Sequence, residues 1–110
     1  ARGACRDFHL GDHALRMYAV TWLSPPQENA LEWVLLLILG AQPGWILPPG
    51  LKLQVSDQTQ ILVEEAVESD AEEAYLYTRV VGTRDEQFIA TIALINGEAV
   101  TLPPFAFLPE

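Results

Sequence analysis

The sequence has a single cysteine, Cys5, so no internal disulfide can form and a disulfide-stapled scaffold is excluded. A lone thiol fits a reducing cytosol. Basic side chains are scarce: six Lys and Arg stand against fifteen Asp and Glu, a net charge of −9 over 110 residues. Phosphate binding needs a concentrated basic patch, which six scattered cations do not make, so no nucleic-acid partner is expected. An anionic membrane surface is disfavoured on the same ground. Long apolar runs are also missing. The longest, residues 33–39, falls far short of the roughly 20 residues of a spanning helix, and the first ten residues lack the apolar stretch of a signal peptide. No Gly-x-Ser-x-Gly elbow, phosphate loop or dinucleotide fingerprint occurs, and there is no internal repeat. The expectation from these absences is a cytoplasmic, non-catalytic domain without a cofactor. The chain opens on Ala1 rather than methionine, as expected of a portion of a longer protein.

What is present is apolar. Half of the residues are hydrophobic, too many for a disordered acidic tail. The length suits one domain, large enough to bury a core without staples. Turn signals recur along it: Ser24-Pro25-Pro26-Gln27-Glu28-Asn29, Gln42-Pro43-Gly44, Pro48-Pro49-Gly50, Asp57-Gln58-Thr59, Gly82-Thr83-Arg84-Asp85 and Asn96-Gly97. The runs between them have strand length. Residues 16–23 and 75–81 are rich in aromatic and β-branched side chains. Residues 51–56 alternate cleanly, with Leu51, Leu53 and Val55 on one face. Residues 31–39 are continuously apolar, as in a strand buried on both faces or at a sheet centre, and residues 88–95 carry two largely apolar rows, as in another central strand. Asn96-Gly97 suggests a two-residue type I′ hairpin into residues 98–102. Pro103, Pro104 and Pro109 suit an edge or irregular end around Phe105-Ala106-Phe107. Residues 59–74 fit either a strand or an amphipathic helix, and the short turn at Asp57 favours the strand.

The expected architecture is therefore all-β: one antiparallel β-sandwich of about seven strands, immunoglobulin-like in outline, spanning residues 15–110. Residues 1–14 form an N-terminal segment expected to be partly mobile. The expected core is Leu35, Leu37, Leu53, Val55, Ile61, Val63, Leu76, Phe88, Ile92 and Leu94.

Four groups of residues are chemical candidates. His9 and His13, with Cys5, Asp7 and Asp12 nearby, would share a face if the segment were helical, the spacing of a zinc pair; Gly11 weakens that helix and no matching ligands follow downstream, so the pair is a weak metal candidate. Cys5 with either histidine would be a nucleophile pair only if the fold made them converge. Six of the ten residues from 64 to 73 are acidic: Glu64, Glu65, Glu68, Asp70, Glu72 and Glu73. They lack the spacing of a calcium loop and read as a solvated end or a docking site for a basic partner. Trp22, Trp45 and Tyr77, with Trp33 and Tyr75, could form an aromatic platform, although Trp33 beside the apolar run reads as core and Trp45 as a cap over one sandwich end.

From Tyr18 onward, the order of elements resembles a cyanobacterial family of uncharacterised proteins, domain of unknown function 1822. The residues carrying the likeness are Leu47-Pro48-Pro49-Gly50-Leu51-Lys52-Leu53-Gln54-Val55-Ser56-Asp57, then Ile61-Leu62-Val63-Glu64-Glu65, Tyr75-Leu76-Tyr77, Glu86-Gln87-Phe88-Ile89-Ala90-Thr91-Ile92-Ala93-Leu94 and Phe105-Ala106-Phe107. Tyr18-Ala19-Val20 and Val34-Leu35-Leu36-Leu37 fit as well. The sequence departs from the pattern at Arg79-Val80-Val81 and at Pro103-Pro104. The resemblance implies a β-rich C-terminal domain and a strand over residues 60–67; it implies no activity and no functional residue.

The leading expectation for function is a non-catalytic protein-interaction or structural module of a larger cytosolic protein. It would meet a protein partner or a second copy through an exposed sheet edge, at residues 60–67 or 103–107, or through a sheet face. A carbohydrate or small-ligand module using Trp22, Trp45 and Tyr77 is the alternative, and a metal-dependent enzyme at His9 and His13 a distant third.

Overall fold

The structure, a computed structural model, describes residues 2–23, 32–68, 74–83 and 85–106. The turn at residues 24–29, the acidic residues Asp70, Glu72 and Glu73, and Arg84, Phe107 and Pro109 lie outside the described residues. Among the described residues there are nine strands and no helix: β1 (Arg2–Leu10), β2 (His13–Leu23), β3 (Trp33–Ala41), β4 (Lys52–Ser56), β5 (Ile61–Ala66), β6 (Tyr75–Gly82), β7 (Gln87–Ala93), β8 (Ala99–Thr101) and β9 (Phe105–Ala106). They form two antiparallel sheets. One has the order β1-β2-β3-β6; the other has the order β5-β4-β7-β8, with β9 also pairing β7.

Pairing fixes which side chains share a face, because residues opposite each other in a ladder point the same way and neighbours along a strand alternate. In the four-stranded sheet the inward rows are Leu15, Met17 and Ala19 of β2, Leu35, Leu37 and Leu39 of β3, and Leu76, Thr78 and Val80 of β6. They are all buried, and they join Leu53 and Val55 of β4 and Phe88, Ala90 and Ile92 of β7 in one hydrophobic cluster. Both sheets thus contribute to one core, into which the alternating row of residues 51–56 and one apolar row of residues 88–95 both point. Thr78 is the one buried polar residue among those described, and its hydroxyl has no hydrogen-bond partner.

Three sequence expectations change, and one choice between strand and helix resolves to the favoured strand. First, the strand count rises from about seven to nine, because residues 2–10 form a full strand and the last segment splits at Pro103-Pro104 into β8 and β9 on one edge of β7. Second, residues 61–66 are strand, not helix. The Asp57 carboxylate accepts the backbone N–H groups of Thr59 and Gln60, both at 2.8 Å, and this turn sends the chain back along β4. Third, Ile61 is not core but 58% exposed. The register shifts between Val55 and Ser56: Val55 opposes Val63, while Ser56 opposes Ile61, and the extra residue turns Ile61 to the outer face. Val63 and Leu94 are half-buried against the core, and the other seven expected core residues are buried.

Fourth, the β7–β8 hairpin exists, but its loop has three residues rather than two. Leu94 N–H donates to Glu98 C=O at 2.7 Å, and Gly97 N–H donates to Leu94 C=O at 3.0 Å with Gly97 at φ +96°. This is a turn closed by a left-handed glycine, a geometry that bulges the returning strand. A two-residue turn does occur where none was expected, at Gly11-Asp12, with Gly11 at φ +57° joining Leu10 to its opposite number His13.

Candidate functional site

The outer face of the four-stranded sheet is where the structure gathers most of the aromatic candidates. Reading across the strands from β1 to β6, one row is Cys5, Tyr18, Ile38 and Tyr77. The next is Gly3, Val20, Leu36 and Arg79, and beyond it lie Trp22, Val34 and Val81. In the other direction comes Asp7, Arg16, Gly40 and Tyr75. Each strand alternates, so an apolar inner row should leave a polar outer one on a water-facing sheet. Here the outer row of β3 is Val34, Leu36 and Ile38, and its neighbours are Val20, Trp22, Tyr18, Tyr77 and Val81. Tyr75, Tyr77 and Val81 are 53%, 64% and 47% exposed. The apolar strand read as buried on both faces is central in its sheet, yet Leu36 and Ile38 are only half-buried, covered from the sides by these neighbours.

Charge is sparse among the described strand residues of this face. Their one carboxylate, Asp7, lies opposite Arg16 and is held by it in two hydrogen bonds, Nε to Oδ1 at 2.6 Å and Nη2 to Oδ2 at 3.0 Å. The Arg16 hydrogen bond holds the Asp7 carboxyl below its ordinary value of 3.8. Arg79 is the other charged side chain of the face.

The remaining candidates do not converge. Trp45 is half exposed in the loop after β3, whose Trp45 N–H bonds the Gln42 carbonyl at 2.9 Å, beyond the end of β3 opposite to Trp22. Trp33 is packed against the core, as expected. His9 opposes Ala14 and His13 opposes Leu10, so the hairpin sends the two imidazoles to opposite faces of the sheet. Among the described residues no group of three His, Cys, Asp or Glu is placed to hold a metal ion. Cys5 is exposed in the middle of β1, on the same outer row as His9 but two rungs away.

Glu64 and Glu65 fall on opposite faces of β5. Glu64 is engaged by Gln54 Nε2 at 3.0 Å and Lys52 Nζ at 3.4 Å, and the Gln54 hydrogen bond leads in holding its carboxyl below 4.5. Glu65 opposes Leu53 on the inward row and lines a shallow depression with Tyr75 and Tyr77 at the edge of β6. Glu68 is exposed just after β5. Sequence reasoning missed Tyr18, Val20, Leu36 and Ile38 as surface residues. Once Gly11-Asp12 is read as a hairpin turn, β1 covers one edge of β2 and the outer row becomes legible.

No curated protein and no solved structure matches the chain. No helix among the described residues is long and apolar enough to cross a membrane. A family model does match, over residues 2–100, from the start of β1 into β8, with the description "Protein of unknown function (DUF1822)"; the chain belongs to that family.

Proposed function

We propose that this chain is a non-catalytic protein-interaction module of a larger cytosolic protein, and that a second copy docks on the outer face of its four-stranded sheet. The observation that carries the reading is the apolar, aromatic outer row centred on Leu36 and Ile38. With strands about 4.8 Å apart and rungs about 6.8 Å apart, four strands and four rungs cover roughly 500 Å². That area includes the Asp7–Arg16 pair, Arg79 and the buried Val34, and two such faces together approach the lower bound of a stable interface. Charge permits a second copy here. A chain of net charge −9 repels itself over most of its surface, but among the described residues this face carries one carboxylate, Asp7, already paired with Arg16, and the cation Arg79. A two-fold axis through one self-complementary patch closes the assembly as a dimer.

The sheet order supports reading the two layers as one immunoglobulin-like sandwich. In that fold the second and fifth strands pair in one sheet, the third and sixth in the other, and the seventh flanks the sixth. Taking β2 as the first strand, β3–β6, β4–β7 and β7–β8 repeat that pattern, β5 takes the place of the extra strand beside the third, and β1 is an addition. From the family resemblance alone, we further propose that the domain is the β-rich C-terminal part of a cyanobacterial protein. The edges named from sequence are less inviting than the face, because β5 carries Glu64, Glu65 and a register shift, and β9 follows two prolines.

Sedimentation equilibrium tests the proposal. The wild-type chain should reach dimer mass at micromolar concentration, and Ile38→Lys, which puts a charge at the centre of the patch, should stay monomeric with its fold intact. A monomer at millimolar concentration overturns it. A second reading, glycan stacking on Trp22 and Tyr77, draws on their shared face. It predicts a tryptophan fluorescence response to a glycan panel that Tyr77→Ala weakens.

A further inference from the structure

The free edge of β1 carries a second surface. Gln42 N–H bonds the Ala14 carbonyl at 3.1 Å, so the backbone of Ala14 faces β3 and that of its β1 partner His9 faces away from β2. By alternation, the backbone groups of Gly3, Cys5, Asp7 and His9 all point out of the sheet. Nothing among the described residues pairs with them. The strand is nine residues long, with neither a proline nor a bulge to blunt it.

Its inward row is Arg2, Ala4, Arg6, Phe8 and Leu10, and this row overhangs a cleft between the two sheets. The cleft, about 270 Å³, has Ala4, Arg6, Met17 and Ala19 on one side and residues 102–105 on the other. Among the described residues its lining is apolar apart from Cys5 and Arg6, and includes no carboxylate. Neither Arg2 nor Arg6 makes a hydrogen bond or ion pair with a described residue, although Arg16 on the opposite face does.

We propose that β1 accepts an added antiparallel strand from another protein, one with a carboxylate opposite Arg6 and apolar side chains at the inward positions on either side. Backbone groups of Gly3, Cys5, Asp7 and His9 hold the strand, and the flanking apolar residues cover the cleft above Met17 and Ala19. This is strand addition in which alternate side chains supply specificity. A second copy of β1 fits less well, because it brings its own Arg2 and Arg6 to an inward row that already carries two cations. This surface uses the backbone edge and inward row of β1, whereas the outer face proposed for dimerisation uses the outward side chains of the same strand.

The probe is the peptide acetyl-Thr-Val-Thr-Glu-Thr-Val-Thr-amide, titrated into the whole chain and followed by amide and methyl chemical shifts. The expected result is saturable shifts at Gly3, Cys5, Asp7, Met17 and Ala19. A peptide with Lys in place of Glu should bind at least about tenfold more weakly, and Arg6→Glu should reverse that preference. Cys5→Pro removes one outward N–H without touching the β1–β2 bonds, and should weaken both peptides alike. No binding, equal binding of the two peptides, or shifts confined to β5 or β8 would overturn the proposal. So would a dimer that Cys5→Pro abolishes and Ile38→Lys spares, which would place a second copy on this edge and contradict the outer-face dimer as well.

Discussion

The ring of Tyr75 lies across Gly40: a Cβ at Gly40 would sit 2.9 Å from both Cδ1 and Cε1 of Tyr75. The two residues oppose each other on β3 and β6, on the outer face. A glycine inside a strand loses backbone entropy on ordering and contributes no side chain, and here an aromatic from the next strand fills the space above it. Gly40→Ala should therefore cost about 1 kcal/mol despite the better strand propensity of alanine, by displacing the ring. In a Tyr75→Ala background the same change should be neutral or stabilising. Urea unfolding of the four proteins measures the coupling directly.

Gly82 makes a harsher test of the same geometry. A Cβ there would meet Cζ of Phe88 at 2.7 Å, and Phe88 is fully buried with no room to retreat. Gly82→Ala should cost about 1–3 kcal/mol, as overpacked cores do, and Phe88→Leu should recover part of the loss relative to its own single variant. Equal stabilities of wild type and Gly82→Ala by chemical denaturation would show that β6 and β7 are not this close.

Thr78 gives the opposite sign. Its hydroxyl is buried on the inward row of β6 without a partner, so it carries a desolvation penalty that a methyl group avoids. Thr78→Val should raise stability by about 1 kcal/mol, seen as a higher denaturation midpoint at unchanged slope.

Acid should weaken the fold through three surface carboxyls. Asp7 is held low by Arg16, Asp57 by the backbone N–H of Thr59 and then of Gln60, and Glu64 by Gln54 and then Lys52. Each folded value lies below the ordinary one, 3.8 for the aspartates and 4.5 for the glutamate. Their contribution is therefore fully present above the ordinary values and is lost as pH falls through the folded ones. Thermal midpoints recorded from pH 6 downward should be flat to about pH 5 and fall below about pH 4. Asp57→Ala should flatten that acid limb and also loosen the β4–β5 turn. An unchanged limb in Asp57→Ala would remove this residue from the account.

Much of this architecture is visible in the residues themselves. Leu51, Leu53 and Val55 alternate as a half-buried strand must, Phe88, Ala90 and Ile92 form one of the two apolar rows of residues 88–95, and the structure buries all six. β1 is hidden because its rows mix Arg2, Arg6, Asp7 and His9 with small residues, leaving no apolar period to detect; it is strand because β2 pairs it along its whole length. Ile61 is misplaced because one extra residue in a ladder reverses the face of everything beyond it, and the turn chemistry of Asp57 does not announce that shift. The candidate surface was half legible. The apolar outer row of β3 is plain in the sequence, but whether another layer covers it depends on sheet order, which local pattern does not encode. His9 and His13 show the converse, since a spacing that unites them on a helix separates them across a hairpin.

Cys5, exposed on the outer face in the same row as Tyr18, Ile38 and Tyr77, offers the most direct test of the proposed dimer. A nitroxide attached to Cys5 of unlabelled chain, mixed with methyl-labelled Cys5→Ser chain, reports which groups of one copy approach the other. An outer-face dimer gives paramagnetic broadening of the Val20, Leu36 and Ile38 methyls, absent when the labelled chain also carries Ile38→Lys. No intermolecular broadening, or broadening confined to the β5 or β8 edges, would contradict it.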